Sequence, residues 1–411
     1  VKLEGTFEAP EAINRWQTVA LGVGGIGVAV LIAVIAFFPE QREEALRGWL
    51  LGFIFWAGIG FGGLGILLLQ YLTGGAWGVV IRRLSEASTR TIPILAILFI
   101  PIVVGVYQLY EWANLHAAGT DKIMNHRGWY LDPQWWTARA ALYFIILFCI
   151  AYFLNKWSLK QDSAETPEEA AGYLGAATKL AAPGIIIYVL VVTFLSVDWV
   201  MTLEPHWFST MFGFLFVAGW ALSCFSFAVC ILAFLSDKAP MDRVLGKRHF
   251  HDIGKLMLAF VMVWAYFNFS QYLIIWSGNL TEETPFYVIR SKGMWGAIGL
   301  ILIIFHFAFP FLVLLMQDFK RKAKLLALLA GFILVMRLVD MYYIIGPSPK
   351  VGDLSKHLME VPFTFTVWDI VAPIAIGGIW LWWFFRELKA RPLVPIKDPF
   401  LENAVKHGKG H

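Results

Sequence analysis

Ten predominantly apolar runs recur along the chain, separated by short polar connectors. Crossing a hydrocarbon layer takes about 20 residues of helix, because backbone groups there find no water and must pair within their own segment. The pattern predicts an all-α integral membrane protein of ten transmembrane helices, near residues 17–38, 46–70, 92–113, 136–158, 180–203, 211–236, 250–277, 293–316, 323–345 and 365–385. The first run is too long for a cleaved signal peptide, lacks a basic leading region and shows no small-residue cleavage pattern. Residues 1–411 are expected to form a single ten-helix membrane domain, with no soluble domain.

After the second run, "GGAWGVVIRRLSEASTR" is too polar to cross. Trp77, Val80, Ile81 and Leu84 recur at helical spacing while Arg82, Arg83 and Glu86 face away, which predicts an amphipathic helix over 76–90 lying in the inner headgroup layer. The acidic stretch from Gln161 to Ala170 is expected as a loop. The tail over 386–411, with Pro392, Pro395 and Pro399, is expected to lie along a partner or the membrane surface.

Lys and Arg collect on the cytoplasmic side of short loops. With the N-terminus inside, the inner segments carry 23 of them and the outer loops 8, so both termini are expected to be cytoplasmic. Trp135, Trp136, Trp207 and Trp276 fall near outer span ends, as an interfacial aromatic belt would.

Composition agrees. The chain is 59% hydrophobic and 15% charged, against roughly 25% charged in an ordinary globular domain. A net charge of +4, scattered along the chain, excludes a concentrated nucleic-acid face. Cys149, Cys224 and Cys230 lie inside apolar runs and are expected as small buried hydrophobes. No CxxC or CxxCH occurs, so neither an iron–sulfur cluster nor a c-type haem is expected on this chain, and only His306 sits deep in an apolar run. Gly60, Gly62 and Gly65 spell G-x-G-x-x-G, but inside an unbroken apolar run. A dinucleotide fingerprint must join a strand to a helix, so these glycines, with Gly58, predict close helix packing instead.

A charge at mid-bilayer costs at least about 2.5–3.5 kcal/mol on insertion scales. The candidates for a proton pathway are Glu111, Asp198, Glu204, His306, Arg337, Asp340 and Asp369, all but His306 in the outer half of the bilayer on this orientation. Arg337 and Asp340 share a helix face, either as a structural pair or as a functional one. Glu111 shares a face with Tyr107 and Gln108, and Asp198 with Thr202. His306 is either a satisfied core residue or a proton carrier. On the seventh span Trp264, Asn268, Gln271 and Tyr272 form a polar, aromatic-edged face suited to hold a carbonyl and cover a ring, or to bond a neighbouring helix.

"SQYLIIWSGNLTEET", from Ser270 to Thr284, resembles the NrfD/PsrC family of quinone-interacting membrane subunits, and "TGGAWGVVIRRLSEA", from Thr73 to Ala87, looks like the matching inner segment of bacterial alternative complex III. Leu280 and Thr281 depart from the family segment, which carries an apolar residue and then Pro. By length the chain resembles the shorter, ActF-type subunit of the two ten-helix subunits in that complex. The resemblance implies two four-helix bundles plus two peripheral helices in the bacterial inner membrane. It implies menaquinol oxidation by the assembly and a non-redox role for this subunit at the quinol site or in proton translocation. The partners implied are a paralogous ten-helix quinol-binding subunit, a periplasmic iron–sulfur subunit, c-type cytochromes carrying the haem, and lipids. Two other readings stay open: a membrane subunit of a polysulfide- or nitrite-reductase-type complex, and a secondary transporter with midplane breaks at Pro101 and Pro310.

Overall fold

A computed structural model describes residues 7–115, 126–349 and 361–410, and these are helical without a strand. In chain order the helices are α1 (Ala12–Phe37), α2 (Pro39–Thr73), α3 (Ala76–Thr89), α4 (Ile92–Val104), α5 (Pro133–Ser163), α6 (Pro167–Trp199) and α7 (Phe212–Leu235). There follow α8 (Lys247–Gly278), the short α9 (Pro285–Arg290), α10 (Gly293–Leu315), α11 (Ala323–Ile345), α12 (Trp368–Lys389) and α13 (Leu401–Lys409). Among the described residues nine helices are long and apolar enough to cross a membrane, and α3 with α4, bent by 41°, makes a tenth if the pair is one broken span. The chain is thus an all-α, multi-pass membrane protein. The third span differs from its expected 92–113: one turn after Pro101 the helix breaks at Gly105, and Tyr110 breaks it again before a short helix from Glu111 to Leu115.

Local chemistry sets the boundaries. Asp132 accepts from the backbone N–H groups of Gln134 and Trp135 at 2.9 and 3.1 Å, with Pro133 at the first helical position of α5. Thr166 caps α6 through Glu169 N–H at 3.2 Å, again ahead of a proline. Helix therefore occupies most of the stretch expected as a loop from Gln161 to Ala170: α5 runs to Ser163 and α6 begins at Pro167. α8 ends on Asn279 in the left-handed conformation, φ 47°, which asparagine tolerates better than most residues.

The middle of the molecule belongs to α2 and α7, each 83% buried over its most apolar window, against 22% for α1 and α8. Small residues on α2 allow this. A Cβ on Gly58 would run into the Trp220 ring, and one on Gly62 would run into the Trp220 carbonyl oxygen. Gly65 faces the Tyr188 ring in the same way. The G-x-G-x-x-G run is a packing surface. α1 meets α12 by the same means, Gly24 against the Gly378 backbone. Outward faces stay apolar, with Ile26, Ile145, Ile186 and Leu312 all more than half exposed. Of the four belt tryptophans only Trp135 and Trp276 face outward; Trp136 and Trp207 are buried. Cys149 also faces outward, unlike Cys224.

The first described residues and the segment after α12 meet at one face, where Leu393 N–H donates to the Phe7 carbonyl at 2.8 Å. Here the amphipathic helix departs from expectation. The polar side of α3 is not turned to headgroups: Arg82 is 1% exposed, Arg83 2% and Glu86 0%. Helices of 35 and 31 residues, α2 and α5, run beyond the span length, and the tail folds back over α3. Arg82 pairs with Asp398 at 2.7 Å, Arg83 with Glu86 at 2.6 Å and with Asp162, and Arg391 with Glu86 at 3.3 Å. Ser158 donates to Glu86 at 2.6 Å. The tail is held on this chain itself by buried ion pairs, and α13 docks on the start of α8, where His249 Nε2 meets the Ala404 carbonyl at 2.9 Å.

Gly62→Ala should lower stability by about 1–3 kcal/mol, because its Cβ meets backbone and not a movable side chain. Gly22→Ala, which meets nothing within 4 Å, should not lower the thermal unfolding midpoint in detergent.

Candidate functional site

α10 loses its regular hydrogen bonding in the middle. Pro310 has no N–H to give the His306 carbonyl, and Phe309 N–H donates five residues back, to Ile304, so Leu302–Ala308 forms a π-helical turn. Such turns are rare and concentrate at functional positions. The turn aims His306 into the interior. His306 is 0% exposed, neither ring nitrogen has a hydrogen-bond partner among the described residues, and the ring meets Trp264 of α8 edge-on at 4.3 Å between centroids.

Trp264 links this histidine to the buried charges. Its indole N–H donates to Asp340 Oδ2 at 3.2 Å, and the same oxygen accepts from Arg337 one helical turn away on α11. The guanidinium lies against α7, where a Cβ on Gly219 would collide with Arg337 Nη2. Four helices thus close around one ion pair, one indole and one imidazole. Charge is balanced within the pair, so the uncompensated polar groups are Arg337 Nε and the two nitrogens of His306. A polar group buried without a partner costs about 1–3 kcal/mol in folded proteins. The arrangement sets an imidazole against the indole that, with a guanidinium, holds the Asp340 carboxylate in place, and among the described residues no group of His, Cys, Asp and Glu side chains could hold a metal ion.

The other charges expected in a pathway are held separately. Asp198, 0% exposed, accepts from Arg139 Nε at 2.8 Å and Nη2 at 3.2 Å and from Tyr143 Oη at 2.7 Å. Thr202, expected beside the carboxylate, donates instead to the Asp198 backbone carbonyl at 2.6 Å. Arg139 was missed from the pattern, although an arginine one turn inside a span already signals a buried partner; it also lies over the Tyr130 ring at 3.9 Å. Glu204 accepts from Arg290 at 2.6 Å, and that guanidinium also donates to the Tyr343 and Ile344 carbonyls, tying the segment after α6 to the ends of α9 and α11. Glu111 is buried, but the break at Tyr110 removes it from the helix that carries Tyr107 and Gln108. Asp369 accepts from Thr366 N–H and hydroxyl at 2.8 and 3.1 Å, a local cap on α12.

The seventh-span residues find separate partners within the protein. Trp264 turns to Asp340, Asn268 donates to its own helix at the Trp264 carbonyl at 3.0 Å, and Tyr272 is 43% exposed. Gln271 is buried, accepting from Ser209 at 2.8 Å and donating to the Tyr287 hydroxyl at 3.0 Å. Beside it lies a cleft of about 50 Å³ lined by Phe208, Ser209, Met211, Gln271 and Ile275, against about 150 Å³ for a cavity that takes benzene. In this conformation the cleft is smaller than a ring-sized cavity. No protein-family model matches the chain, and no curated protein matches it in sequence.

Asp340→Ala leaves the Arg337 charge buried and alone, which should cost about 3–5 kcal/mol. The double variant Arg337→Met with Asp340→Leu should recover most of that loss, as read by thermal unfolding of the purified protein in detergent.

Proposed function

We propose that this chain is a non-redox membrane subunit of a quinol:electron-acceptor oxidoreductase of the alternative complex III type in a bacterial inner membrane. Its task in this reading is proton movement coupled to menaquinol oxidation elsewhere in the assembly. The observation that carries it is the unpartnered His306, seated on a π-helical turn against Trp264, which itself donates to the Arg337-paired Asp340. A ring with two free nitrogens can take a proton on one and release it from the other, and π turns of this kind recur at functional positions. The small cleft at Gln271 favours placing quinol chemistry on the paralogous ten-helix subunit, with electrons passing through an iron–sulfur subunit and c-type cytochromes. Both termini then face the cytoplasm, following the 23-to-8 bias of Lys and Arg.

A secondary transporter is the competing reading, favoured by the interrupted helix in α10 and the break after α4. Purification from native membranes separates the two. A redox subunit should bring haem absorbance and iron with its partners, and a transporter should come out colourless and alone. Within the assembly, His306→Leu and Asp340→Asn should each lower quinol-driven turnover or its proton release about tenfold or more. Retention of both activities in both variants would remove the proton role.

A further inference from the structure

The turn between α10 and α11 carries Lys320, Arg321 and Lys322 in succession and packs against the first turns of α8. Lys320 is 5% exposed, and its stem fits because residue 254 is glycine: a Cβ there would lie 2.9 Å from Lys320 Cγ. Among the described residues no carboxylate lies within ion-pair distance of Lys320. Beside it stand Arg321 and, on α8, Lys255 and His251; the charges acting on the His251 ring are Lys255, Lys320 and Arg321, with Asp252 opposing them. Asp252 is already shared, by Lys255 Nζ at 3.2 Å and by His407 Nε2 at 2.7 Å. Asp318, exposed on the same turn, pairs with none of these cations. His251 Nδ1 is buried and has no hydrogen-bond partner among the described residues.

We propose that Lys320, Arg321, Lys255 and His251 form a headgroup site for an anionic phospholipid. The argument is charge complementarity. Cations gather here around one shared carboxylate, and the stem of Lys320 is fixed by packing on Gly254 while its ammonium has no carboxylate partner among the described residues. Burial, and then the charge of Lys255, pull the Lys320 ammonium below its ordinary range, a strain that a phosphate diester would relieve. The site has a second part that a free phosphate would not use. Leu312 and Leu315 of α10 and Leu328 of α11, each more than half exposed, run from the turn along the outer face where acyl chains would lie. Basic pockets between spans bind lipid headgroups on this principle. The site stands apart from the His306 cluster and does not depend on the function proposed for it.

The test uses the full chain, stripped of lipid in a neutral detergent. Thermal unfolding is followed in micelles doped with phosphatidylglycerol, with phosphatidylcholine, or with inorganic phosphate at matched concentration. Phosphatidylglycerol alone should raise the midpoint. Lys320→Met, which keeps the stem on Gly254, and Arg321→Gln should each weaken the apparent affinity about fivefold, while Lys409→Gln on α13 should not change it. An equal response to phosphatidylcholine, a full response to inorganic phosphate, or an unchanged phosphatidylglycerol response in Arg321→Gln would each overturn the site. Arg321 is exposed, so its variant decides the matter even if Lys320→Met does not fold.

Discussion

The structure depends on how closely α7 can approach α2. Trp220 lies across Gly58 and Gly62, with its own backbone carbonyl where a side chain on Gly62 would stand. Its neighbour in sequence, Gly219, turns the other way and receives the Arg337 guanidinium. One dipeptide therefore joins the central pair of helices to the buried charges of α11. Lipid tails are as apolar as leucine, so burial of apolar surface cannot drive such contacts, and close backbone packing must supply the attraction. With α7 fixed by Trp220, Arg337 can lie flat, Asp340 can reach it, and Trp264 of α8 can complete the set.

Two ionic clusters show opposite solutions to burying charge. At the face where Leu393 meets Phe7, Arg82, Arg83 and Arg391 interleave with Glu86, Asp162 and Asp398, and Ser158 and Asn155 add hydrogen bonds. Each charge has an opposite neighbour, and the result is a tail locked onto α3 and α5. Around His306 the set is smaller, and the imidazole itself has no partner for either ring nitrogen among the described residues. Dense pairing of opposite charges favours a fixed structure. An unpartnered polar ring in the interior is costly, and such costs concentrate where a protein acts.

Much of this was legible in the residues, because lipid imposes one rule on every span. The ten apolar runs, the packing role of the α2 glycines and the pairing of Arg337 with Asp340 all follow from that rule applied locally. What escaped depended on distances along the bundle. Nothing local in "RRLSEA" says that α2 and α5 are long enough to enclose it or that Asp398, near the far end of the chain, returns to Arg82. The capping signal Thr166-Pro167-Glu168-Glu169 was present and would have shortened the expected loop. The break at Tyr110 was harder to read, since Pro101 and Gly105 occur in many unbroken membrane helices, where neighbours satisfy the freed backbone groups.

The π turn in α10 gives the clearest case of sequence and site acting together. Pro310 alone would kink a helix by removing one hydrogen bond. Here the backbone answers by widening, with Phe309 bonding to Ile304, and the widened turn rotates His306 toward Trp264. A leucine would fill that space without leaving two nitrogens unpaired. The imidazole is thus the less stable choice for packing, set at the π-helical turn of α10. That combination, a polar ring retained against its packing cost on a π-helical turn, separates His306 from the paired carboxylates elsewhere in the chain.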